Sequence, residues 1–426
     1  MILPRWRILH LLLAATVLSA GSGCTMVVNI IGSEKRDVYK FDHPFAADSP
    51  AFRRSAEAMG NAMVEGNDAR LLVNGDEIFP AMIKEIRDAK QTVNLETYIF
   101  QPDEAGSQFA DAMIEAARRG VQVRLLIDAF GSKLKRLART LEDAGVIVRK
   151  YRPLRLFSIY KVGRRTHRKI LVVDGRVAFT GGLGIDKRWL GNARDPSEWR
   201  DTQVRVEGPV AAQMQAIFSE DWTYTTGEIL AGDEFYPAIA RAGGMRSQAI
   251  KASRGDSSSL PKMLYYVAIQ SARQSIHIAN AYFLPDKQVR DALIAAAKRG
   301  VDVQVMVPGS HIDLPMVRSA SWIHYGEMLK EGVKILEYTP TMLHNKTMVI
   351  DGIYSTIGSI NFDARSMNRN AEEALAFFDR DFARKMEEMF QRDKQRCSEI
   401  TWDQWDHRGL HRRLTELVFW IWEPYY

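Results

Sequence analysis

Apolar and polar positions along the body of this chain alternate with two different periods. Residues 77–89 and 107–119 carry apolar side chains at three- and four-residue spacings, which predicts two amphipathic helices. Residues 92–100 are rich in β-formers, and residues 121–127 alternate like a buried strand directly after Gly120, a residue type that commonly ends helices. This alternation of helix and strand predicts an α/β fold with a mixed or parallel sheet.

The same order of segments occurs twice along the chain. Three stretches of the first half are echoed in the second, namely 98–103 by 282–286, 116–123 by 296–303, and 145–153 by 332–340. Because the stretches keep their order, we predict that the two halves are duplicates of one structural unit.

The duplication divides the chain into six parts. We predict a signal peptide or membrane anchor at 1–24, a connecting segment at 25–70, a first domain at 71–224, a linker region at 225–261, a second domain at 262–396 and an aromatic C-terminal tail at 397–426. Clusters of Gly, Ser and Asp indicate the linker region. The end of the tail is aromatic and follows several arginines, a composition typical of a membrane contact and also of a tail packed into the protein.

Each half contains one copy of a motif in which histidine is followed two residues later by lysine and seven residues later by aspartate. The copies are His167, Lys169, Asp174, Gly181 and Gly182, and His344, Lys346, Asp351, Gly358 and Ser359. From the frequencies of His, Lys and Asp in this chain, roughly 0.03 matches to the H-x-K-x4-D pattern are expected by chance. Two matches therefore indicate a shared function.

The spacing within each motif predicts which side chains act together. Histidine and lysine two residues apart on a strand project from the same face, so each pair can share one ligand. Asp174 and Asp351 are each followed by glycine between two β-rich runs, a pattern typical of a two-residue hairpin turn. We therefore predict a structural role in the turn for both aspartates.

A two-residue turn also fixes which residues face each other across the hairpin. It places His167 opposite Gly182 and His344 opposite Ser359. We predict that these small residues leave room for a phosphate beside each histidine.

Two histidines and two lysines supply the groups that cleavage of a phosphodiester requires. A neutral imidazole can attack phosphorus, and a protonated imidazole on the opposite side can donate its proton to the leaving oxygen. Lys169, Lys346 and Asn361 are predicted to donate to the non-bridging oxygens as charge builds up. Because Cys24 and Cys397 are the only cysteines and no Cys/His spacing suits zinc, we predict a mechanism without a metal or another cofactor.

The two motifs resemble those of the phospholipase D superfamily, whose members work through a covalent phosphohistidine. Segments 96–103, 119–128, 199–201 and 361–366 are similar to the cardiolipin synthase branch of that superfamily. The resemblance covers about residues 70 to 395. It implies two duplicated phospholipase D-like α/β domains, packed with the active site at their interface.

The resemblance also implies a role for each site residue. His167 is expected to be the nucleophile, and His344 the general acid and later the base for the incoming hydroxyl, although the residues alone leave this order open. Asp201 and Glu372 match the positions that orient the two histidines through their second ring nitrogen.

One position departs from the family pattern. Where the second motif is followed by Asn361, the first is followed by Gly184, so one expected phosphate donor is missing. A backbone N–H of residues 181–184, or Arg200, is predicted to substitute for it. If neither does so, we expect weaker turnover or a different substrate.

The charge of the chain indicates an anionic partner. The 426 residues are 46% hydrophobic and carry a formal net charge of +6, which suits either a phospholipid surface or a nucleic acid. A basic and aromatic stretch, 151–168, leads into the first motif. We interpret it as a rim that meets anionic headgroups, with a solvated loop as the alternative.

The N-terminus has the composition of an export signal. Two arginines precede an apolar run, 8–20, and small residues lead up to Cys24. Cys24 is the predicted lipidation site, as in a bacterial lipoprotein, with Gly21 in place of the usual leucine. The alternative is an uncleaved anchor, because residues 8–31 are uncharged and long enough for one membrane span. Both interpretations attach the protein to a membrane of the bacterial cell envelope.

Taken with the resemblance, these observations favour a membrane-attached phosphatidyltransferase that acts on an anionic, phosphatidylglycerol-like phospholipid. If water competes for the phosphatidyl-enzyme, the same site is a phospholipase D. An exported nuclease of the same superfamily is the alternative. The predicted lipid anchor and aromatic tail make a nuclease, and therefore a nucleic-acid partner, the less favoured interpretation. A weakly active membrane scaffold is a third interpretation, which only Gly184 supports.

Overall fold

The computed structural model describes residues 39–42, 44–153, 165–252 and 260–420. The strands within these ranges are β1 Val64–Val73, β2 Thr92–Thr97, β3 Gln122–Asp128, β4 Ile147–Tyr151, β5 Ile170–Val173, β6 Val177–Gly181, β7 Thr202–Glu207, β8 Met245–Ala252, β9 Ser275–Asn280, β10 Asp302–Pro308, β11 Lys334–Tyr338, β12 Lys346–Ile350, β13 Tyr354–Gly358, β14 Glu372–Phe378 and β15 Cys397–Ile400. The helices are α1 Pro50–Met59, α2 Asn74–Asp88, α3 Glu104–Arg118, α4 Lys135–Asp143, α5 Val210–Thr226, α6 Leu260–Ser271, α7 Lys287–Lys298, α8 Pro315–Lys330, α9 Ala364–Asn368, α10 Arg380–Lys394, α11 Trp402–Asp406 and α12 Leu410–Trp420.

These strands join one sheet, in the order β15-β11-β10-β9-β12-β13-β14-β8-β1-β7-β6-β5-β2-β3-β4. Strands β1 and β8 pair antiparallel at its centre. On one side of this pair lies the first repeat, β1 to β7, and on the other side lies the second, β8 to β14, with equivalent strands in equivalent order. The predicted duplication and the predicted α/β fold are therefore confirmed.

Parallel strands at the outer part of each repeat position the helices. Strands β2, β3 and β4 run parallel, as do β9, β10 and β11, so helices must cross over between them. Strands β3 and β10 are buried at nearly every position because helices cover both faces of the sheet. Helices α2 and α3 lie on one face of the sheet. Helices α5 and α10 cover the other face with apolar side chains such as Phe218 and Phe382.

The first strand of each repeat lies outside the domain boundaries predicted from the sequence. Strand β1 begins at Val64, within the predicted connecting segment 25–70, and β8 lies inside the predicted linker region 225–261. Both strands contain several charged and polar residues, so their sequences lack a clear apolar alternation. Their burial comes from pairing with each other and with β7 and β14, which local sequence does not reveal.

The hairpin turns of the two motifs contain three residues instead of the predicted two. The pairs that close them are Val173 with Val177 and Ile350 with Tyr354. The register of each hairpin is therefore shifted by one residue from the prediction, so His167 does not lie opposite Gly182 and His344 does not lie opposite Ser359.

Asp174 and Asp351 open these turns in the left-handed conformation, with φ values of 52° and 50°. The carboxylate of Asp174 accepts hydrogen bonds from three consecutive backbone amides at the start of β2. The carboxylate of Asp351 accepts from three equivalent amides at the start of β9. These bonds tie each turn to the neighbouring strand, which is a structural role of the kind predicted for both aspartates.

The two ends of the chain are described only in part. The predicted signal peptide or anchor, including Cys24, lies outside the described residues, and so do residues 421–426. The described part of the tail folds against the second repeat: β15 pairs with β11, and the indole N–H of Trp405 donates to the Trp322 carbonyl at 2.7 Å. Among the helices in the described ranges, none is both long and apolar enough to span a membrane.

Candidate active site

Both motif histidines lie where a short segment of one repeat crosses the other repeat. The backbone N–H of His167, just before β5, donates to the Ala371 carbonyl at 2.8 Å. The backbone N–H of His344, just before β12, donates to the Arg200 carbonyl at 2.7 Å. The two motifs therefore meet at the interface between the repeats.

A buried carboxylate from the opposite repeat contacts each imidazole. Nδ1 of His167 lies 2.9 Å from Oε2 of Glu372, and Nδ1 of His344 lies 2.8 Å from Oδ2 of Asp201. Because an ionised carboxylate can only accept a hydrogen bond, each imidazole carries its proton on Nδ1 and has an unprotonated Nε2. The two histidine–carboxylate pairs are thus crossed between the repeats.

Several donors keep these two carboxylates ionised. Glu372 accepts hydrogen bonds from the hydroxyls of Ser359 at 2.6 Å and Ser366 at 2.7 Å, and Asp201 accepts from the indole of Trp189 at 2.8 Å. Burial acts to raise the pKa of both carboxyl groups, but the imidazoles, the nearby lysines and the hydrogen bonds outweigh it and lower both pKa values. Both acids are therefore suited to fix a histidine tautomer.

The small residues of the two motifs lie beside these carboxylates. A Cβ atom at Gly182 would lie 2.3 Å from the carboxylate of Asp201 and 2.7 Å from the carbonyl of His344. At the equivalent position of the second motif, the hydroxyl of Ser359 donates to Glu372. The space that the sequence analysis assigned to a phosphate is thus filled by a carboxylate, which corrects that prediction.

Two buried lysines share the site with the imidazoles. Nζ of Lys169 lies 2.6 Å from the His167 carbonyl oxygen, and Nζ of Lys346 lies 2.7 Å from the His344 carbonyl oxygen. Nζ of Lys346 is also 3.2 Å from both ring nitrogens of His344. Burial lowers the pKa of both lysines, and the pKa of Lys346 falls to about 7 with the charge of Lys169 adding to the effect.

Burial and the lysine charges also make both imidazoles weak bases. The pKa of His167 falls to about 4, chiefly through burial, and Glu372 offsets only part of that effect. The pKa of His344 falls to about 3, through burial and then the charge of Lys346. Both histidines are therefore neutral at pH 7 in the free protein, and the lysines are the cations at the site that can bind an anionic ligand.

Asn361 has no side-chain counterpart in the first repeat. Its side chain is buried, its amide nitrogen lies 3.4 Å from the Ser366 hydroxyl, and its amide oxygen has no hydrogen-bond partner among the described residues. At Gly184, a Cβ atom would lie 3.0 Å from Cβ of Ile99 and 3.1 Å from the ring of Trp189. Glycine is therefore found there because Trp189 already fills the space of a side chain.

Arg200 does not take the place of the missing donor. Its guanidinium donates to the carboxylate of Asp393 at 2.7 Å, to Asn74 at 3.3 Å and to the Thr202 hydroxyl at 3.0 Å. These hydrogen bonds lie in the buried interior, so the guanidinium has a structural role. The prediction that Arg200 replaces the missing phosphate donor is therefore wrong. Substitution by a backbone N–H of residues 181–184 stays a prediction.

Aromatic rings that were not predicted as site residues enclose the imidazoles. The ring of His344 lies 5.2 Å from Trp189, 5.4 Å from Trp199 and 6.2 Å from Tyr282, measured between ring centroids. The ring of His167 lies 5.3 Å from Tyr98. Tyr98 and Tyr282 begin the first pair of echoed segments, which is the signal that could have identified them.

The basic stretch before the first motif is partly buried. Arg165 lies 3.5 Å from the carboxylate of Asp128, Arg168 lies 3.0 Å from that of Asp221, and both guanidinium groups are almost fully buried. For these two arginines the predicted headgroup-facing rim is wrong, because each neutralises a buried acid. Residues 154–164 of the stretch lie outside the described residues.

Comparison with known proteins gives one family. The family model described as "Cardiolipin synthase, PLD-like domain" matches residues 82–222 and 265–394. The chain is 38% identical over 363 residues to cardiolipin synthase 2 of Bacillus cereus, covering 84% of this chain and 70% of that protein. It is 37% identical over 359 residues to a probable cardiolipin synthase of Bacillus subtilis, covering 82% of this chain and 70% of that protein.

Among solved structures, the crystal structure of phosphatidylserine synthase from Haemophilus influenzae has the same fold. The TM-score is 0.63 at 14% sequence identity, and the match covers 87% of this chain and 97% of that one. At this level of identity the likeness establishes the duplicated α/β architecture alone.

Proposed function

The chain belongs to the cardiolipin synthase branch of the phospholipase D superfamily, and we propose that it transfers a phosphatidyl group from one phospholipid to a hydroxyl of another. The observation that carries the proposal is the pair of imidazoles, each bound through Nδ1 to a buried carboxylate of the opposite repeat, with two lysines beside them. This arrangement supplies two neutral nitrogen bases and cationic charge for one phosphodiester.

In the first step, Nε2 of His167 attacks the phosphorus atom of the donor lipid. A phosphorus–nitrogen bond forms, the bond from phosphorus to the headgroup oxygen breaks, and that oxygen takes a proton from His344. Glu372 holds the His167 ring with its Nε2 lone pair unprotonated, as a nucleophile requires. Lys169, Lys346 and Asn361 stabilise the charge on the non-bridging oxygens.

In the second step, the acceptor hydroxyl attacks the phosphatidyl-histidine. His344 takes the proton of the hydroxyl, the new phosphorus–oxygen bond forms, and the bond to His167 breaks. His344 is neutral in the free protein, with a pKa of about 3, so it must take up a proton from the solvent when the substrate binds, and it donates this proton in the first step. The anionic phosphate offsets the lysine charges and raises the pKa of that imidazole, which makes the uptake favourable.

We propose phosphatidylglycerol as donor and acceptor, which gives cardiolipin and glycerol. The names of the relatives support this choice. The buried cations at the site suit an anionic phosphodiester of this kind. We also propose that Asp201 and Glu372 act as positioning residues and that Asp174 and Asp351 serve only the turns.

The decisive experiment incubates the purified protein with radiolabelled phosphatidylglycerol in the presence of EDTA and separates the lipids. We expect cardiolipin and glycerol, and we expect EDTA to have no effect because lysines provide the cationic charge. Phosphatidic acid as the main product would make the protein a phospholipase D instead. Cleavage of DNA with no change in the lipids would overturn the proposal in favour of a nuclease.

The pH dependence of kcat/KM reports the protonation of the free enzyme. His167 must be neutral to attack, so activity is lost as pH falls below its pKa of about 4. Lys346 must be cationic, so activity is lost as pH rises above its pKa of about 7. Because His344, with a pKa of about 3, must also take up a proton, we expect kcat/KM in the lipid assay to fall with rising pH above about 4 and to fall more steeply above about 7. A slope that does not change near pH 7 would contradict the role of Lys346.

We propose that acylated Cys24 attaches the protein to the membrane. The apolar run 8–20 and the small residues before Cys24 support this, as does the family's action on lipids. The intact mass of the protein extracted from membranes should correspond to a chain that begins at a lipid-modified Cys24. A mass that still includes residues 1–23 would instead support the uncleaved anchor.

A further inference from the structure

Three exposed apolar side chains lie at equivalent places in the two repeats. Phe130 follows β3 and is 55% exposed, and Leu314 and Met316 follow β10 and are 41% and 38% exposed. Strands β3 and β10 are equivalent parallel strands, so the three residues lie at the carboxyl ends of the strands in both repeats. We refer to Phe130, Leu314 and Met316 as the apolar rim.

Phe130 is joined to the first motif by a short series of contacts. The ring of Tyr98 lies 5.3 Å from the ring of His167. Gly131 packs so closely on Tyr98 that a Cβ atom there would lie 2.3 Å from the Tyr98 carbonyl oxygen. The hydroxyl of Ser132 also donates to this carbonyl at 2.9 Å. Phe130 is the exposed residue next to this packed glycine, so it lies on the His167 side of the site.

Leu314 is joined to the second motif in the same way. The ring of Tyr282 lies 6.2 Å from the ring of His344, and its hydroxyl donates to the carboxylate of Asp313 at 2.8 Å. Leu314 is the next residue along the chain and is exposed. Phe130 and Leu314 are therefore each adjacent in the chain to a residue that contacts the tyrosine beside a motif histidine, one in each repeat.

Exposed cations accompany the rim in the first repeat. Lys133, Lys135, Arg136 and Arg139 are all exposed, and none of them has an ion-pair partner in the part of the chain that the structure describes. Residues 129–141 contain no acidic residue. Unpaired cations beside exposed apolar side chains are typical of surfaces that bind anionic phospholipid membranes.

Helix α12 adds a second exposed apolar face to the second repeat. Leu410, Leu414 and Val418 are 72%, 55% and 55% exposed, and their four-residue spacing places them on one side of the helix. The guanidinium of Arg412 lies over the ring of Trp322, so α12 packs on α8, whose N-terminal end carries Met316.

We propose that the apolar rim, with the cations of residues 133–139, docks the protein on an anionic phospholipid bilayer so that the two imidazoles face the headgroups. The inference rests on the proposed function, because a phosphatidyltransferase must draw both lipids from a membrane. Apolar side chains enter the acyl boundary while the cations stay at headgroup depth. In this orientation a phosphodiester moves only a short way from the bilayer to the site.

The first test measures docking without activity. A polarity-sensitive fluorophore is attached at Phe130→Cys in the full chain with Cys24→Ser and Cys397→Ser, so that position 130 carries the one thiol, and phosphatidylglycerol vesicles are added. We expect a blue shift of its emission that is weaker with neutral phosphatidylcholine vesicles. The control carries the fluorophore at Ile229→Cys, since Ile229 is 78% exposed and follows Glu228, which pairs with Arg124 near the opposite end of β3.

The second test measures transfer by the Phe130→Glu, Leu314→Glu double variant. We expect its turnover to fall about tenfold or more on long-chain phosphatidylglycerol in vesicles and to stay unchanged on a soluble short-chain phosphatidylglycerol. Ile229→Glu should match the unsubstituted protein on both. An equal loss on both substrates would mean that the rim supports the fold, and it would overturn the docking proposal.

The outcomes separate this inference from the proposed function. An absent blue shift at position 130 overturns the docking, whether or not the protein transfers lipids. A blue shift without any lipid product supports the docking and overturns the proposed function. A shift that appears at high protein concentration without vesicles would assign the surface to a second copy of the chain and overturn the proposal.

Discussion

His167→Ala is expected to abolish phosphatidyl transfer, with a loss on the order of 10⁴-fold or more, because the nucleophile of the covalent step is removed. His344→Ala is expected to lose roughly 10² to 10⁴-fold, because a headgroup alkoxide then leaves without its proton. The assay measures the conversion of labelled phosphatidylglycerol into cardiolipin. Retained activity in either variant would contradict a site shared by the two repeats.

A change of leaving group separates the two roles. p-Nitrophenolate, with a pKa of about 7, departs without a proton, so His344→Ala should still cleave a p-nitrophenyl phosphodiester. His167→Ala should remain inactive on it, and the reverse result would exchange the two roles. His277→Ala is the matched control, since His277 is a buried histidine of the second repeat and its ring lies 2.5 Å from Glu387, and within the described ranges no hydrogen bond or ion pair joins its side chain to a site residue.

Glu372→Gln and Asp201→Asn should each lower kcat by roughly 10² to 10⁴-fold while the protein stays folded. An amide presents an N–H to Nδ1, so the imidazole holds its proton on Nε2, the atom that must attack phosphorus or transfer the proton. The readouts are kcat and KM in the transfer assay, with circular dichroism to verify the fold. We expect KM to change little, because neither acid contacts the substrate.

Glu387→Gln is the matched control for these two variants. It makes the same chemical change in a histidine–carboxylate pair outside the site and should leave kcat unaltered. If Glu372→Gln or Asp201→Asn behaves like this control, the crossed carboxylates have no part in positioning the histidines.

The chemistry of the site could be predicted because it is encoded in short local motifs. His167 and Lys169 lie two residues apart, and so do His344 and Lys346, so both pairs are visible in the sequence. The echoed segments around Tyr98 and Tyr282 identified the duplication. Chain order within each copy then predicted the alternation of helix and strand that the structure shows.

Features that depend on distant residues could not be predicted in the same way. The three-residue turn after Val173 depends on how Asp174 binds the amides at the start of β2, which lie far earlier in the chain. Strand β8 is polar in sequence and acquires its burial from β1 and β14. Arg168 belongs to a basic stretch whose composition is typical of a protein surface. Only the folded structure shows that Asp221 lies beside it.

Because the carboxylates are crossed between the repeats, the enzyme can be active only after both repeats have folded and packed together. A chain in which one repeat has folded holds one motif histidine and one of the two acids, but no histidine–carboxylate pair, because the partner of each lies in the other repeat. A newly made or damaged chain therefore has no oriented nucleophile until both repeats are joined. An enzyme that cuts phospholipids thus cannot harm the membrane that carries it while it is half folded.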